Sequence, residues 1–166
     1  PTGAVAHQYL IGKYEITVAE WVIFLNCVDP FGNNALGLYS LSQNILADPS
    51  RPDGDNYFVP AAVDRKTAVG GISFFGACRF CNWLHNGAQA GSDTESGAYT
   101  LLGGTAVPSN AASVTRSATA KFAIPTVHEF YKAGHFDGIN YSTYPQGEDS
   151  INNNTVPGDK FSANYG

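Results

Sequence analysis

The sequence predicts an irregular α+β fold with few helices, short strands and long loops. Three segments begin with helix-capping patterns and then carry apolar residues at helical spacing. Between them, residues 29–70 and 87–121 are rich in Gly, Ser, Asn, Asp and Pro. Two alternating pieces, "GAYTLLGGTA" and "SVTRSATAKFAI", predict a small sheet edge. A chain of 166 residues that is 43% hydrophobic fits one packed domain, which we expect to span residues 1–166.

The first helix is predicted to follow Thr17. Thr17 and Glu20 are three residues apart and form a capping box, in which each side chain binds the backbone N–H of the other residue. Apolar residues then recur at three- and four-residue steps and predict one buried face: Val18, Trp21, Val22, Leu25 and Val28. The preceding segment "YLIGKYEI" is interpreted as a short strand.

The second helix is predicted to begin at Ser73 and to end near Gly87. It contains a C-x-x-C pair, Cys78 and Cys81, in its middle, whereas redox pairs need the first cysteine at a helix start, where its pKa is lowered. We therefore interpret both as small buried packing residues. In an oxidising compartment either can also form a disulfide with Cys27, and the pair that we single out is Cys27–Cys78.

The third helix lies in "IPTVHEFYKAGHFDG", residues 124–138, which looks at first like an enzyme site. His128 and His135 share a helix face, but seven residues rise about 10.5 Å, too far for both rings to bind one ion. Thr126 and Glu129 form a second capping box. We therefore interpret the segment as a capped packing helix with these apolar positions: Val127, Phe130, Tyr131 and Gly134.

Charge and hydropathy exclude two classes of partner. Nine Lys and Arg against fourteen Asp and Glu give a net charge of −5, and the basic residues are scattered along the chain. A nucleic-acid partner needs a clustered cationic face, so none is expected. No apolar run approaches the roughly 18–20 residues that a membrane span needs.

The order of these segments resembles the formylglycine-generating enzyme family, also called the sulfatase-modifying factor family. "IGKYEITVAEWVIFLN" is similar to that family's "YEVTNAQYAAFLN", "ISFFGACRFCNWL" to its "VSWYDAARFCNWL", and "IPTVHEFYKAG" to its "LPTEAEWEYAA". Three segments in the same order make the match fairly specific. The resemblance implies a C-type lectin-like fold, a secreted or cell-surface bacterial protein, and coverage of only the N-terminal two-thirds of the family's domain.

The resemblance also bears on activity. The family oxidises a substrate cysteine to formylglycine with copper held by two cysteines in its C-terminal third, which has no counterpart here. No catalytic residue is therefore carried over, and the resemblance implies a non-catalytic, extracellular lectin-like module that binds a protein or glycan ligand or mediates assembly. Two alternatives stay open. The chain is the N-terminal portion of a copper-dependent oxidase, with copper only if a further C-terminal segment exists, or it is a structural subunit of a surface assembly.

Calcium and self-association are the remaining expectations from the resemblance. "SANYG" resembles the family segment in which an Asn side chain and the next carbonyl bind calcium, so Asn164 and Tyr165 would form a partial calcium site. Loss of the last third would also leave apolar surface exposed around Trp21 and Trp83. We therefore expect a second segment to complete the chain, or the chain to assemble with copies of itself.

Overall fold

A computed structural model describes residues 3–144 and, for the backbone alone, residues 152–153 and 162–163. Its helices are α1 (Val18–Val28), α2 (Phe74–His85) and α3 (Val127–His135), and short 3₁₀ turns lie at Leu41–Gln43 and Ala111–Ser113. Strands β1 (Leu46–Ala47) and β2 (Tyr57–Phe58) pair antiparallel, and β3 (Asn152–Asn153) and β4 (Ser162–Ala163) pair parallel. The α+β class is confirmed, while the C-type lectin-like assignment stays a prediction.

The chain divides into two compact units, and each is described by itself. The larger unit, residues 13–124, contains α1, α2, β1 and β2. The smaller unit combines residues 1–12 with residues 125–166 and contains α3, β3 and β4. The expected single domain stays a prediction. Within the described ranges, no helix combines the length and the apolar character that a membrane crossing requires.

All three predicted helix starts are confirmed by their caps. The hydroxyl of Thr17 accepts the N–H of Glu20 at 3.3 Å, and the carboxylate of Glu20 accepts the N–H of Thr17 at 2.8 Å. Thr126 and Glu129 repeat this arrangement at 3.2 and 2.7 Å. Ser73 caps α2 through its side chain. Each cap satisfies amides that a helix start would otherwise leave without a partner.

The core of the larger unit is an aromatic cluster between α1 and α2. Trp21, Phe24, Phe80 and Trp83 lie with neighbouring ring centroids 4.9–5.7 Å apart. Trp21 and Trp83 are only 1% and 5% exposed. The expectation that apolar surface is left open around them is therefore wrong, because the two helices cover each other's aromatic residues.

A second cluster lies around Cys78 and Cys81 of α2. Both thiols are buried and pack with Ala98, Tyr99 and Leu101 from the loop that follows α2. Their predicted role as small packing residues is confirmed. Since Phe80 and Trp83 face the first cluster, α2 is buried on two sides and organises the larger unit.

None of the three segments predicted to be strands forms one, and strands β1 and β2 were not predicted. Residues 9–16 form no strand: the chain bends at residues 13–14, and Leu10 is fully exposed. Residues 97–106 and 113–124 contribute one isolated bridge, between Tyr99 and Arg116, instead of a sheet edge. Three glycines with positive φ turn the first of these pieces and prevent a continuous strand: Gly97, Gly103 and Gly104.

Candidate functional site

Side-chain amides from the two large helices hold the long loops of the larger unit. The amide of Asn26 on α1 accepts the N–H of Tyr57 and donates to its carbonyl, both at 2.9 Å. The amide of Asn82 on α2 does the same to Tyr99, at 2.7 and 3.0 Å. We call these two contacts the amide pins. Each acts like a neighbouring strand, because it satisfies both backbone groups of one residue, Tyr57 of β2 or Tyr99 of the loop after α2.

The loop after α1 is fixed by the carboxylate of Asp29. This carboxylate accepts the backbone N–H groups of Asn33 at 3.0 Å and Asn34 at 2.7 Å, and also the hydroxyl of Tyr57. Burial, together with the bond to Asp29, raises the pKa of the Tyr57 hydroxyl. Asn34 has φ of 50° and binds both backbone groups of Tyr39. The loop geometry is thus set by polar side chains rather than by a sheet.

The loop after α2 is fixed by Arg79. Its guanidinium donates to both carboxylate oxygens of Glu95, at 2.5 and 3.0 Å, and to the carbonyls of Thr105 at 2.8 Å and Ala106 at 3.3 Å. Arg79 is fully buried. A buried guanidinium requires such paired acceptors, and the planar fork holds two loop segments at defined positions.

The fixed loops present apolar side chains to solvent. A β-carbon at Gly37 would lie 3.2 Å from the β-carbon of Ala106, so the two loops touch there. We call residues 29–43 and 102–109 the loop surface. It carries four large apolar residues that are more than half exposed: Phe31, Leu41, Leu102 and Val107. The loop surface is the candidate binding site of the larger unit. Neither the polar contacts that fix it nor the amide pins were predicted from the sequence.

The three cysteines are free thiols in the structure, so the Cys27–Cys78 disulfide is not formed there. Cys27 packs against the first cluster, whereas Cys78 belongs to the second. The disulfide stays a prediction. Burial raises the pKa of Cys78 to about 11 and that of Cys81 to about 12. Both are therefore neutral thiols near pH 7, whereas a metal ligand or nucleophile is the thiolate.

The titratable side chains of the third helix hold the N-terminal segment. His128 Nδ1 accepts the backbone N–H of Gly3 at 3.1 Å, and Glu129 lies 2.9 Å from His7 Nε2. His135 Nδ1 lies 3.0 Å from the carbonyl oxygen of Ser142. In residues 3–144, no group of three or more His, Cys, Asp or Glu side chains is arranged to hold a metal ion. The segment is capped as predicted and makes polar contacts, but two of its predicted packing positions, Val127 and Phe130, are exposed.

The predicted calcium residues, Asn164 and Tyr165, lie outside the described residues. Comparison of the chain with models of protein families, with curated proteins and with solved structures finds no match. The resemblance to the formylglycine-generating enzyme family therefore rests on the three sequence segments alone.

Proposed function

We propose that the chain is a non-catalytic, extracellular binding or assembly module of the formylglycine-generating enzyme type, with a C-type lectin-like fold. The observation that carries the proposal is the loop surface, where loops of irregular backbone are fixed by polar side chains: Asp29 and Asn34 in the first loop, and Arg79 in the second. Loops that are ordered before binding lose less conformational freedom when they meet a ligand. This arrangement favours recognition.

The composition of these loops supports the same proposal. They are rich in Gly, Ser and Asn, which suit adaptable polar contacts around a few apolar anchors. The exposed apolar residues of the loop surface supply such anchors, with Phe31 the largest of them. A protein or glycan ligand, a completing second segment and a further copy of the chain are the partners we propose, at the surface of a bacterium or secreted from it.

Calcium is the ion that we propose for the module. The Asn164 side chain and the Tyr165 carbonyl supply two oxygen ligands, and calcium takes about six to eight. A partner or a further segment would provide the rest. A calcium-dependent rise in thermal stability that chelation reverses, and that Asn164→Ala removes, would support this site.

The loop surface is tested by substitution in the full chain. Phe31→Ala and Leu102→Ala remove exposed apolar groups from it, and Ile23→Ala removes an exposed group of similar character from α1. Sedimentation velocity measures self-association, and a glycan array measures ligand binding. We expect association or saturable binding that the first two variants reduce and that Ile23→Ala retains.

Three results decide against the proposal or refine it. A monomer that binds no glycan, or an activity unchanged in both loop variants, would contradict it. Ordered polymers that lose their contacts in these variants would make the chain a structural subunit. A natural protein that extends further and binds copper(I) through downstream cysteines would instead support the oxidase alternative.

A further inference from the structure

We propose that a hollow in the smaller unit binds a small carboxylate attached to a ring, and that Lys132 of α3 binds the carboxylate. The proposal concerns residues of the smaller unit only and does not depend on the loop surface. Four observations carry it: the size of the hollow, its aromatic wall, its fixed geometry and the position of one cation.

The hollow lies between the N-terminal segment and α3. Residues 3–6 form one side, and Lys132, Phe136 and Tyr141 form the other. The hollow is shallow and open to solvent. Its volume of about 350 Å³ is enough to cover one face of a single ring with a short acidic substituent. Apart from Lys132 and the Tyr141 hydroxyl, the side chains that line it are apolar.

The aromatic wall is held in place before any ligand arrives. Tyr141 donates its hydroxyl to the carbonyl of Gly3 at 2.6 Å. The Tyr141 ring centroid lies 4.8 Å from that of Phe136 and 5.6 Å from that of Tyr131, onto which it stacks. Gly3 has φ of 83°, and a β-carbon there would lie 2.7 Å from the Tyr141 ring. Glycine is required for this close approach of the segment to the ring.

Lys132 provides the charge that selects an anion. Its ammonium group donates to the carbonyl of Val5 at 3.2 Å and lies 5.8 Å from the Phe136 ring centroid. An ammonium group has three N–H donors, so this carbonyl leaves capacity for further acceptors. Among the described residues, no carboxylate lies within ion-pair distance of Lys132. A partly buried cation beside apolar walls favours an anionic ligand that also covers those walls.

A second hollow, in the larger unit, provides the internal comparison. Residues 59–61 and 63–66 line it, its volume is about 470 Å³, and it also carries cations, Arg65 and Lys66. It has no aromatic side chain in its wall, and Asp64 lies in the same wall and supplies a negative charge. A ligand that needs only a positive surface would bind there as well, whereas a ring-bearing carboxylate should prefer the hollow beside Lys132.

The test is a ¹H–¹⁵N NMR titration of the full chain with phenylacetate, with glucuronate and with the neutral phenylacetamide. We expect saturable shifts at residues 3–6, 132, 136 and 141, with millimolar affinity for a ligand of this size. Lys132→Met should weaken binding about tenfold through loss of a charge-assisted hydrogen bond, and Lys132→Arg should retain most of it. Lys66→Met, the matched loss of one cation, should leave the affinity unchanged.

The source of the carboxylate follows from which probe binds. Tighter binding of phenylacetate would identify the ligand class as aromatic acids, and tighter binding of glucuronate would identify it as acidic sugars. Equal binding of phenylacetamide would overturn the proposal, as would no saturable shift with any probe or a loss of binding in Lys66→Met but not in Lys132→Met. Circular dichroism of both Lys132 variants verifies that they are folded. Failure of the loop-surface experiment would leave this result unaffected.

Discussion

Asn82 and Tyr99 are joined like neighbours in a β-sheet, although Asn82 contributes only its side chain. Its amide accepts the N–H of Tyr99, and donates to the carbonyls of Tyr99 and Thr94 at 3.0 and 2.7 Å. Asn82 is fully buried, so Asn82→Ala would leave buried backbone groups without partners. We expect a loss of about 3 kcal/mol in the free energy of unfolding, measured by urea denaturation.

Asn86→Ala is the matched control for Asn82. The Asn86 amide also donates to two loop carbonyls, those of Asp93 and Ser96, both at 2.8 Å. These bonds are exposed, and water replaces them when they are removed, so the expected loss is below about 1 kcal/mol. Equal losses in the two variants would show that the buried pin has no special role.

Arg79 should be intolerant of replacement even by lysine. Arg79→Met would remove the guanidinium that holds Glu95 and two loop carbonyls. We expect a loss of about 3–5 kcal/mol in unfolding free energy, since the remaining partners are left without their donor. Arg79→Lys should rescue little, because an ammonium cannot bind both oxygens of Glu95 and the carbonyls at once. Full stability of the lysine variant in urea would contradict the importance of the planar fork.

The aromatic cluster of the larger unit should respond strongly to one substitution and weakly to its neighbour. Phe24 is fully buried among the rings, and Ile23 on the same helix is 54% exposed. Phe24→Ala should cost about 3–5 kcal/mol through lost burial and the cavity left behind. Ile23→Ala should change stability by less than about 0.5 kcal/mol. Thermal unfolding measures both, and similar shifts would contradict the assignment of the core.

The buried thiols should make the protein less stable at high pH. Burial raises the pKa of Cys78 to about 11 and that of Cys81 to about 12, whereas an unfolded thiol titrates near about 8.5. Their contribution is therefore fully present below about pH 8.5, and is lost as the pH rises toward the folded values, because the unfolded chain releases protons first. We expect unfolding free energy to fall by about 3–4 kcal/mol between pH 8 and pH 10, which is about 2 kcal/mol for each thiol.

The double variant Cys78→Ala/Cys81→Ala isolates that effect. Burial also raises the pKa of Tyr57 and Tyr99, which act in the same direction and remain in the variant. The slope of stability against pH should therefore become shallower but not vanish. An unchanged slope would mean that the thiols are not responsible. In the native wild-type protein, alkylation of both thiols should be slow until unfolding exposes them.

Local sequence patterns predicted the helices because the interactions that define them are local. Thr17 and Glu20, or Thr126 and Glu129, are three residues apart, so the capping box is visible without any tertiary knowledge. The predicted buried face of α1 is confirmed at four of its five positions, whereas Val28 is only partly buried and the fully buried Phe24 was not predicted. The same reasoning predicted the buried cysteines, which lie on an amphipathic helix.

The amide pins were missed because their partners are distant. Asn26 and Tyr57 are 31 residues apart, and Asn82 and Tyr99 are 17 apart. The one available signal was Asn82, which lies among the apolar residues of "RFCNWL". A polar side chain at such a position indicates a buried group that needs a hydrogen-bond partner. The loop sequence does not identify which backbone groups bind this side chain, because every non-proline residue has one N–H donor and one carbonyl acceptor.

The orientation of α3 shows a second limit of sequence patterns. Val127 and Phe130 were predicted as apolar positions of a packing helix, yet both are exposed, while Glu129 is buried. Glu129 is buried because its carboxylate serves the helix cap and lies against His7. The capping pattern identified Glu129 correctly, but gave no information on which face of so short a helix would be covered.

The way the loops are fixed determines which of their residues tolerate substitution. The amide pins recognise the backbone N–H and carbonyl of Tyr57 and Tyr99, and no atom of either tyrosine side chain takes part in them. Exposed loop residues whose side chains make no such contact, such as Phe31 and Val107, are therefore free to change without loss of the loop shape. Substitutions there can change what the chain binds while the scaffold is kept, provided that the side chains which fix the backbone remain: Asn26, Asp29, Asn34, Arg79 and Asn82.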